Sequence, residues 1–122
     1  MDMTSSEPTY APARLQTVGR QLFISGQVPR DADGNTVGAG DFDAQCRHVF
    51  KSILKILAEQ NFEAAHVDRL MVYVTSPELI RRSSAIRGEF LSSPYPACTS
   101  VAVLGLAHPD WMIEIEASAS AQ

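Results

Sequence analysis

The chain has 122 residues, of which 45% are apolar and 20% charged, with a formal net charge of −4 and a pI near 5.2. This length and composition predict one globular domain with a single core. The acidic balance argues against a general nucleic-acid binder, which normally carries a basic face. Two cysteines do not make a disulfide framework, and no apolar run approaches the roughly 18 to 20 residues of a membrane span.

The N-terminal residues Met1–Pro12 contain no apolar stretch of the kind found in signal peptides, so we expect a soluble cytoplasmic protein. Residues 1–13 are rich in proline and small polar residues and are predicted to form a flexible arm. Residues 14–122 are predicted to form the single domain. Within it, Arg14–Val18 and Gln21–Ser25 flank a glycine-containing turn, which predicts a β-hairpin.

A change of period marks the first helix. From Phe42 to Leu57 apolar residues recur every three or four positions, which predicts an amphipathic helix of about five turns. Asp41 is the expected N-cap. Cys46 lies on the apolar face of this helix and is therefore predicted to be a core residue.

Strands and helices then alternate. Val67–Val74 is predicted to be a strand, and Ser76-Pro77-Glu78 has the order cap, first-turn proline and early acid that opens a second helix. A strand after Pro96 and a second one over Trp111–Ala117 complete the chain. The order predicts a two-layer α+β domain, a mixed sheet with two helices on one face. The strands carry apolar residues on both faces, so we expect further copies of the chain to cover the open face.

The last strand carries the most informative polar residues. Glu114 and Glu116 fall on one face of an otherwise apolar strand, and buried carboxylates are costly unless they are paired or used. Glu114 either takes part in chemistry or is a buried acid held by backbone amides. Glu116 is predicted to have a structural or intersubunit role.

Several segments together resemble the Rid family (YjgF/YER057c/UK114) of small trimeric proteins with a chorismate-mutase-like fold. The resemblance spans roughly Arg14–Ala119. Its most specific part is the combination of Ser25-Gly26-Gln27 near the start with Glu114-Ile115-Glu116-Ala117 at the end. The other matching segments are Ala44-Gln45, Asp68-Arg69, Val72-Tyr73-Val74, Glu89-Phe90-Leu91 and Tyr95-Pro96-Ala97.

The resemblance implies a homotrimer that hydrolyses reactive enamines and imines at sites between subunits, without a cofactor or a metal. It implies that Glu114 positions the attacking water and is the catalytic residue. The implied substrate-binding residues are Ser25, Tyr10, Ser84, Ala97, Thr99 and Cys98. The expected partners are a small-molecule substrate and other copies of the chain, with no membrane and no nucleic acid.

Cys98 departs from the family pattern, in which an arginine after Pro-Ala binds the substrate carboxylate. A thiol cannot replace the two parallel charge-assisted bonds of a guanidinium. Cys98 is predicted to line the pocket, to be inert, or to act as a nucleophile if a neighbouring cation activates it. One of the arginines of the second helix, Arg81, Arg82 or Arg87, is a candidate to reach the pocket of a neighbouring subunit and restore anion binding there.

Three functions remain open from the sequence. The first is an imine or enamine hydrolase, a deaminase-like enzyme, for a substrate that the usual arginine does not bind. The second is a catalytically silent trimer that binds a metabolite or a regulatory partner in the cleft between subunits. The third is a hydrolase that depends on Cys98. The three histidines have no metal-ligand spacing, so no metal site is predicted.

Overall fold

The computed structural model describes residues 8–122 and places two α-helices and four β-strands in this range. Their order is β1 (Arg20–Gln27), α1 (Phe42–Glu59), β2 (Val67–Val74), α2 (Glu78–Phe90), β3 (Ala97–Ala102) and β4 (Ile113–Ala121), with a short 3₁₀ turn at Ala64–His66 before β2. No helix in this range is both long enough and apolar enough to cross a membrane.

The strands form one mixed sheet in the order β1-β4-β2-β3. Strand β4 is antiparallel to both of its neighbours, whereas β2 and β3 are parallel. Both helices pack on the same face, where the alternating residues of the central strands are buried. The largest of these strand residues are Leu70, Val72, Val74, Ile113 and Ile115. The predicted two-layer α+β fold is confirmed.

Helix α1 begins as the sequence predicts. The Asp41 carboxylate accepts a hydrogen bond from the Ala44 backbone N–H at 3.1 Å, which satisfies one of the free donors of the first turn. Cys46 is fully buried on the inner face, as predicted. Desolvation by burial raises the pKa of the Cys46 thiol to about 12, so this cysteine is an inert core residue.

Gln45 joins helix α1 to the start of β4. Its side chain is fully buried and donates to the carbonyls of Gly38 and Asp110 at 3.1 and 2.8 Å. Its Oε1 accepts from the Met112 backbone N–H at 2.8 Å. A buried amide with all three bonds made fixes the loops on either side of it.

The predicted N-terminal hairpin is wrong, because Arg14–Val18 forms no strand. This segment runs along the end of the sheet from one edge to the other. Ala11 hydrogen-bonds to Pro96 beside β3, and Arg14 donates to the carbonyl of Tyr95 at 3.0 Å. Leu15 therefore projects into solvent at 99% exposure, although its spacing suggested a strand.

Residues 8–13 of the predicted arm lie against the domain through Thr9 and Ala11, and residues 1–7 are outside the described range. Helix α2 begins at Glu78, with Pro77 rather than the predicted Ser76 at the N-cap position. The Ser76 backbone carbonyl, not its hydroxyl, accepts the first helical bond, from Leu79.

Candidate functional site

The two faces of the sheet separate the predicted site residues into two groups. In the parallel register of β2 and β3, Cys98 lies beside the buried Leu70, so it points towards the helices. Its neighbours Ala97 and Thr99 point to the opposite, open face, because successive strand residues alternate. Within one chain, Cys98 and Glu114 therefore lie on opposite faces of the sheet.

A cavity of about 510 Å³ opens between helix α2 and strand β3. It brings together three residues that the sequence predicted for the site, Tyr10, Ser84 and Cys98. The remaining lining residues are Pro77, Ile80, Arg81, Arg87 and Ser100. The N-terminal segment closes one wall, since Thr9 Oγ1 lies 2.9 Å from Ser84 Oγ.

Arg87 is the buried cation of this cavity. Its side chain is only 3% exposed, and its Nη1 donates to Cys98 Sγ at 3.0 Å while its Nε donates to Thr9 Oγ1 at 3.1 Å. Both acceptors are uncharged groups in their ordinary forms, and no carboxylate within residues 8–122 pairs with Arg87. A guanidinium thus stands beside the position at which the family pattern has its own arginine.

The other arginines on or near α2 are used differently. Arg82 pairs with Asp43, which holds the pKa of that carboxyl below its ordinary value through a hydrogen bond. Arg47 makes a similar two-bond contact with Glu89, both bonds being 2.9 Å. Arg81 is exposed at the rim of the cavity.

The open face of the sheet carries the two glutamates. Glu114 lies opposite Tyr73 and Glu116 opposite Met71 in the antiparallel register of β2 and β4. The Tyr73 hydroxyl donates to Glu116 Oε1 at 2.6 Å, and this hydrogen bond raises the pKa of Tyr73. Glu116 therefore has a structural partner within the chain. Ser25 lines a shallow depression of about 420 Å³ on this face, together with Arg69 and Glu116.

Gly26 explains how the Ser-Gly-Gln segment relates to Glu114. A Cβ atom placed on Gly26 would overlap Glu114 Oε2 and lie 2.7 Å from its Cδ. The carboxylate thus lies directly against the α-carbon of Gly26, a position that only a residue without a side chain allows. The sequence motif at the start of the chain and the Glu-Ile-Glu motif at its end meet at this contact.

The sequence alone leaves Arg87 as one of three candidate arginines and contains no signal for Ser100. The signal that singles out Arg87 is its helical spacing. It follows the buried Ser83 by four residues and precedes Phe90 by three, so it lies on the inner face of α2. Within residues 8–122, no three His, Cys, Asp or Glu side chains are close enough together to hold a metal ion.

The comparisons with known proteins agree with this architecture. The sequence model of the family described as endoribonuclease L-PSP matches residues 4–121. A RutC family protein from Pyrococcus horikoshii is 32% identical over 101 residues, which cover 83% of this chain and 79% of that protein.

Two solved structures extend the likeness to three dimensions. A conserved Rid-family protein of unknown function from Yersinia pestis is 35% identical with a TM-score of 0.86, over 93% of this chain and 87% of that one. RidA from an Antarctic Psychrobacter is 27% identical with a TM-score of 0.78, over 91% of this chain and 94% of that one. The chain belongs to the Rid family, also called YjgF/YER057c/UK114.

Proposed function

We propose that the protein hydrolyses a small imine or enamine to a carbonyl compound and ammonia, at a site shared by two subunits of a homotrimer. One observation carries this proposal. Tyr10, Ser84 and Cys98 line one cavity with a buried guanidinium, whereas Glu114 and Ser25 lie on the other face of the sheet. A complete site of the Rid type therefore needs the cavity of one subunit and the open face of a second.

The surface of the single chain supports such an assembly. Phe23 on the open face is 75% exposed, and Met71 is only partly buried there. No third helix within residues 8–122 covers this face, and apolar sheet surface of this kind is normally buried against a partner. A cyclic trimer buries the open face of every subunit in the same way and places each Glu114 near the cavity of a neighbour.

Hydrolysis of an imine needs few catalytic groups from the protein. A protonated imine is already electrophilic, so the protein orients the substrate and a water and accepts one proton. The water oxygen bonds to the imine carbon while the Glu114 carboxylate takes a proton from the water, and the C=N electron pair moves to nitrogen. Nitrogen then takes a proton, the C–N bond breaks, ammonia leaves, and the remaining hydroxyl loses its proton to give the C=O group. An enamine enters this sequence once its carbon is protonated to the imine.

RNA is a second substrate class suggested by the printed name of the matching family model, endoribonuclease. The net charge of −4 does not favour it, because RNA affinity rests largely on lysine and arginine contacts to phosphates. A silent binding protein and a hydrolase dependent on Cys98 are two further candidate functions. RNA cleavage, silent binding and Cys98-dependent hydrolysis can each be distinguished from the proposed reaction. The measurement is imine turnover by the wild type, Glu114→Gln and Cys98→Ser.

The test is to generate 2-imino acids in place with an amino-acid oxidase and to measure keto-acid release with and without the protein. We expect release above the spontaneous rate, with Glu114→Gln lowering turnover about 100-fold while the melting temperature stays nearly constant. Cys98→Ser should keep turnover within about threefold, because the thiol is no nucleophile in this proposal. No acceleration by wild type on any imine, or full activity of Glu114→Gln, would contradict the proposal. Cleavage of RNA without imine turnover would instead favour the endoribonuclease activity in the printed name of the family model.

A further inference from the structure

We propose that Arg87, on helix α2, binds the carboxylate of a small 2-imino or 2-oxo acid in the cavity between α2 and β3. Where the family pattern has an arginine on this strand, β3 has Cys98. The cation therefore reaches the cavity from helix α2 instead. That this ligand is the substrate rests on the proposed function. That Arg87 is an anion-binding side chain rests on the structure alone.

Burial and charge carry the first step. A guanidinium keeps its charge in proteins, and charged groups are rarely buried without a counter-charge because they lose their hydration. Arg87 is only 3% exposed within its own chain, yet its described acceptors are a thiol sulfur and a threonine hydroxyl. Both are weaker acceptors than a carboxylate, so an entering anion gains more from Arg87 than these groups do.

Geometry carries the second step. Arg87 lines the cavity, and the contacts with described residues engage its Nε and Nη1. Cys98 Sγ, at 3.0 Å from Nη1, is a small and weak acceptor that a carboxylate oxygen can replace at little cost. Ser84, Ser100 and Tyr10 line the same cavity and offer hydroxyl groups to the rest of the ligand. The volume of about 510 Å³ suits a small molecule rather than a polymer.

The neighbouring arginines make the assignment specific. Arg82 is held by Asp43 with bonds to both carboxylate oxygens, so its charge is already neutralised. Arg81 is exposed and gains less from an anion because water competes for it. Arg87 alone among these three combines burial with a place on the cavity wall.

Kinetics with paired substrates test the assignment. Arg87→Met keeps an unbranched stem and removes the charge, and Arg82→Met is the matched control on the same helix. We expect Arg87→Met to lower kcat/KM for a 2-imino acid about 10- to 100-fold, the cost of a charge-assisted pair. For the same imine with a carboxamide in place of the carboxylate, the change should stay within about threefold. Arg82→Met should leave both values unchanged. Equal losses on both substrates, or no loss on either, would overturn the assignment.

Binding to the wild-type protein gives a second test that needs neither a variant nor turnover. The side-chain N–H resonances of Arg87 should shift when pyruvate is added and should not shift with pyruvamide. Pyruvate binding with this shift, in a protein that hydrolyses no imine, would uphold the anion site and refute only the proposed enzyme. Absence of the shift at saturating pyruvate, or an equal shift with the amide, would refute the role of Arg87.

Discussion

The contact between Gly26 and Glu114 shows how one missing side chain can set the position of a carboxylate. Glu114 Oε2 occupies the space that any Cβ at position 26 would take. The glycine therefore influences the position of the carboxylate only by leaving space for it. In the proposed reaction Gly26 is a positioning residue, because it acts only through Glu114.

Gly26→Ala tests this role at the scale of one residue. Its new methyl group must displace the end of the Glu114 side chain, which is flexible, so the fold should survive. We expect the melting temperature to change by less than about 3 °C and imine turnover to fall about 10-fold or more. Gly105→Ala is the control, since a Cβ there meets nothing within 4 Å. Unchanged turnover in Gly26→Ala would show that the position of Glu114 does not matter.

The sequence offers candidate residues for the site but not their arrangement. The family resemblance implies Glu114, Ser25, Tyr10, Ser84 and Cys98 as candidate site residues. Their distribution over two faces depends on strand register, which is a contact between distant segments. The sequence cannot choose Arg87 over Arg82, because it does not reveal that Asp43 of helix α1 forms an ion pair with Arg82 of helix α2.

At the scale of elements, two ion pairs link the helices. Asp43 at the start of α1 accepts from Arg82 of α2, and Arg47 donates to Glu89. The hydrogen bond from each arginine lowers the pKa of its carboxyl partner from the ordinary values of 3.8 and 4.5. All four groups are exposed, so water and salt weaken their contribution.

The sign of the pH dependence follows from these lowered pKa values. A carboxyl group whose pKa is lower in the folded state contributes stability above its unfolded pKa and loses it as the pH falls through the folded value. Urea midpoints should therefore fall from pH about 5 to about 3, less so in Asp43→Asn, and high salt should shrink the difference between the two proteins. Identical pH profiles at low salt would mean that the pair between Asp43 and Arg82 contributes nothing.

Periodic elements were predictable and the N-terminal segment was not. The bounds of Val67–Val74 and the start of α1 at Phe42 agree with the structure, since their apolar spacing directly encodes one buried face. Arg14–Val18 has short-range features of a strand, yet β1 pairs with β4 at the far end of the chain. Arg14–Val18 instead crosses the end of the sheet. The residues just before it, Thr9 and Tyr10, lie at the cavity.

At the scale of the whole molecule, the open face of the sheet determines the expected assembly. Light scattering should give a mass of about three times 13.3 kDa, because three copies can cover their open faces in a closed ring. Phe23→Glu should shift the protein towards smaller species, since it places a charge on the most exposed apolar residue of that face. A monomer at micromolar concentration in wild type would remove the shared site along with the trimer.

The central claim is that each site combines the cavity of one subunit with Glu114 of another, and mixed trimers test it most directly. Arg87→Met and Glu114→Gln alone should each keep no more than about one tenth of the wild-type kcat/KM for a 2-imino acid. In trimers formed by co-expressing the two variants in equal amounts, about one quarter of the sites should pair an intact cavity with an intact Glu114. We predict recovery of about one quarter of wild-type activity. Activity no higher than the mean of the separate variants would show that the site lies within a single chain and would contradict the account.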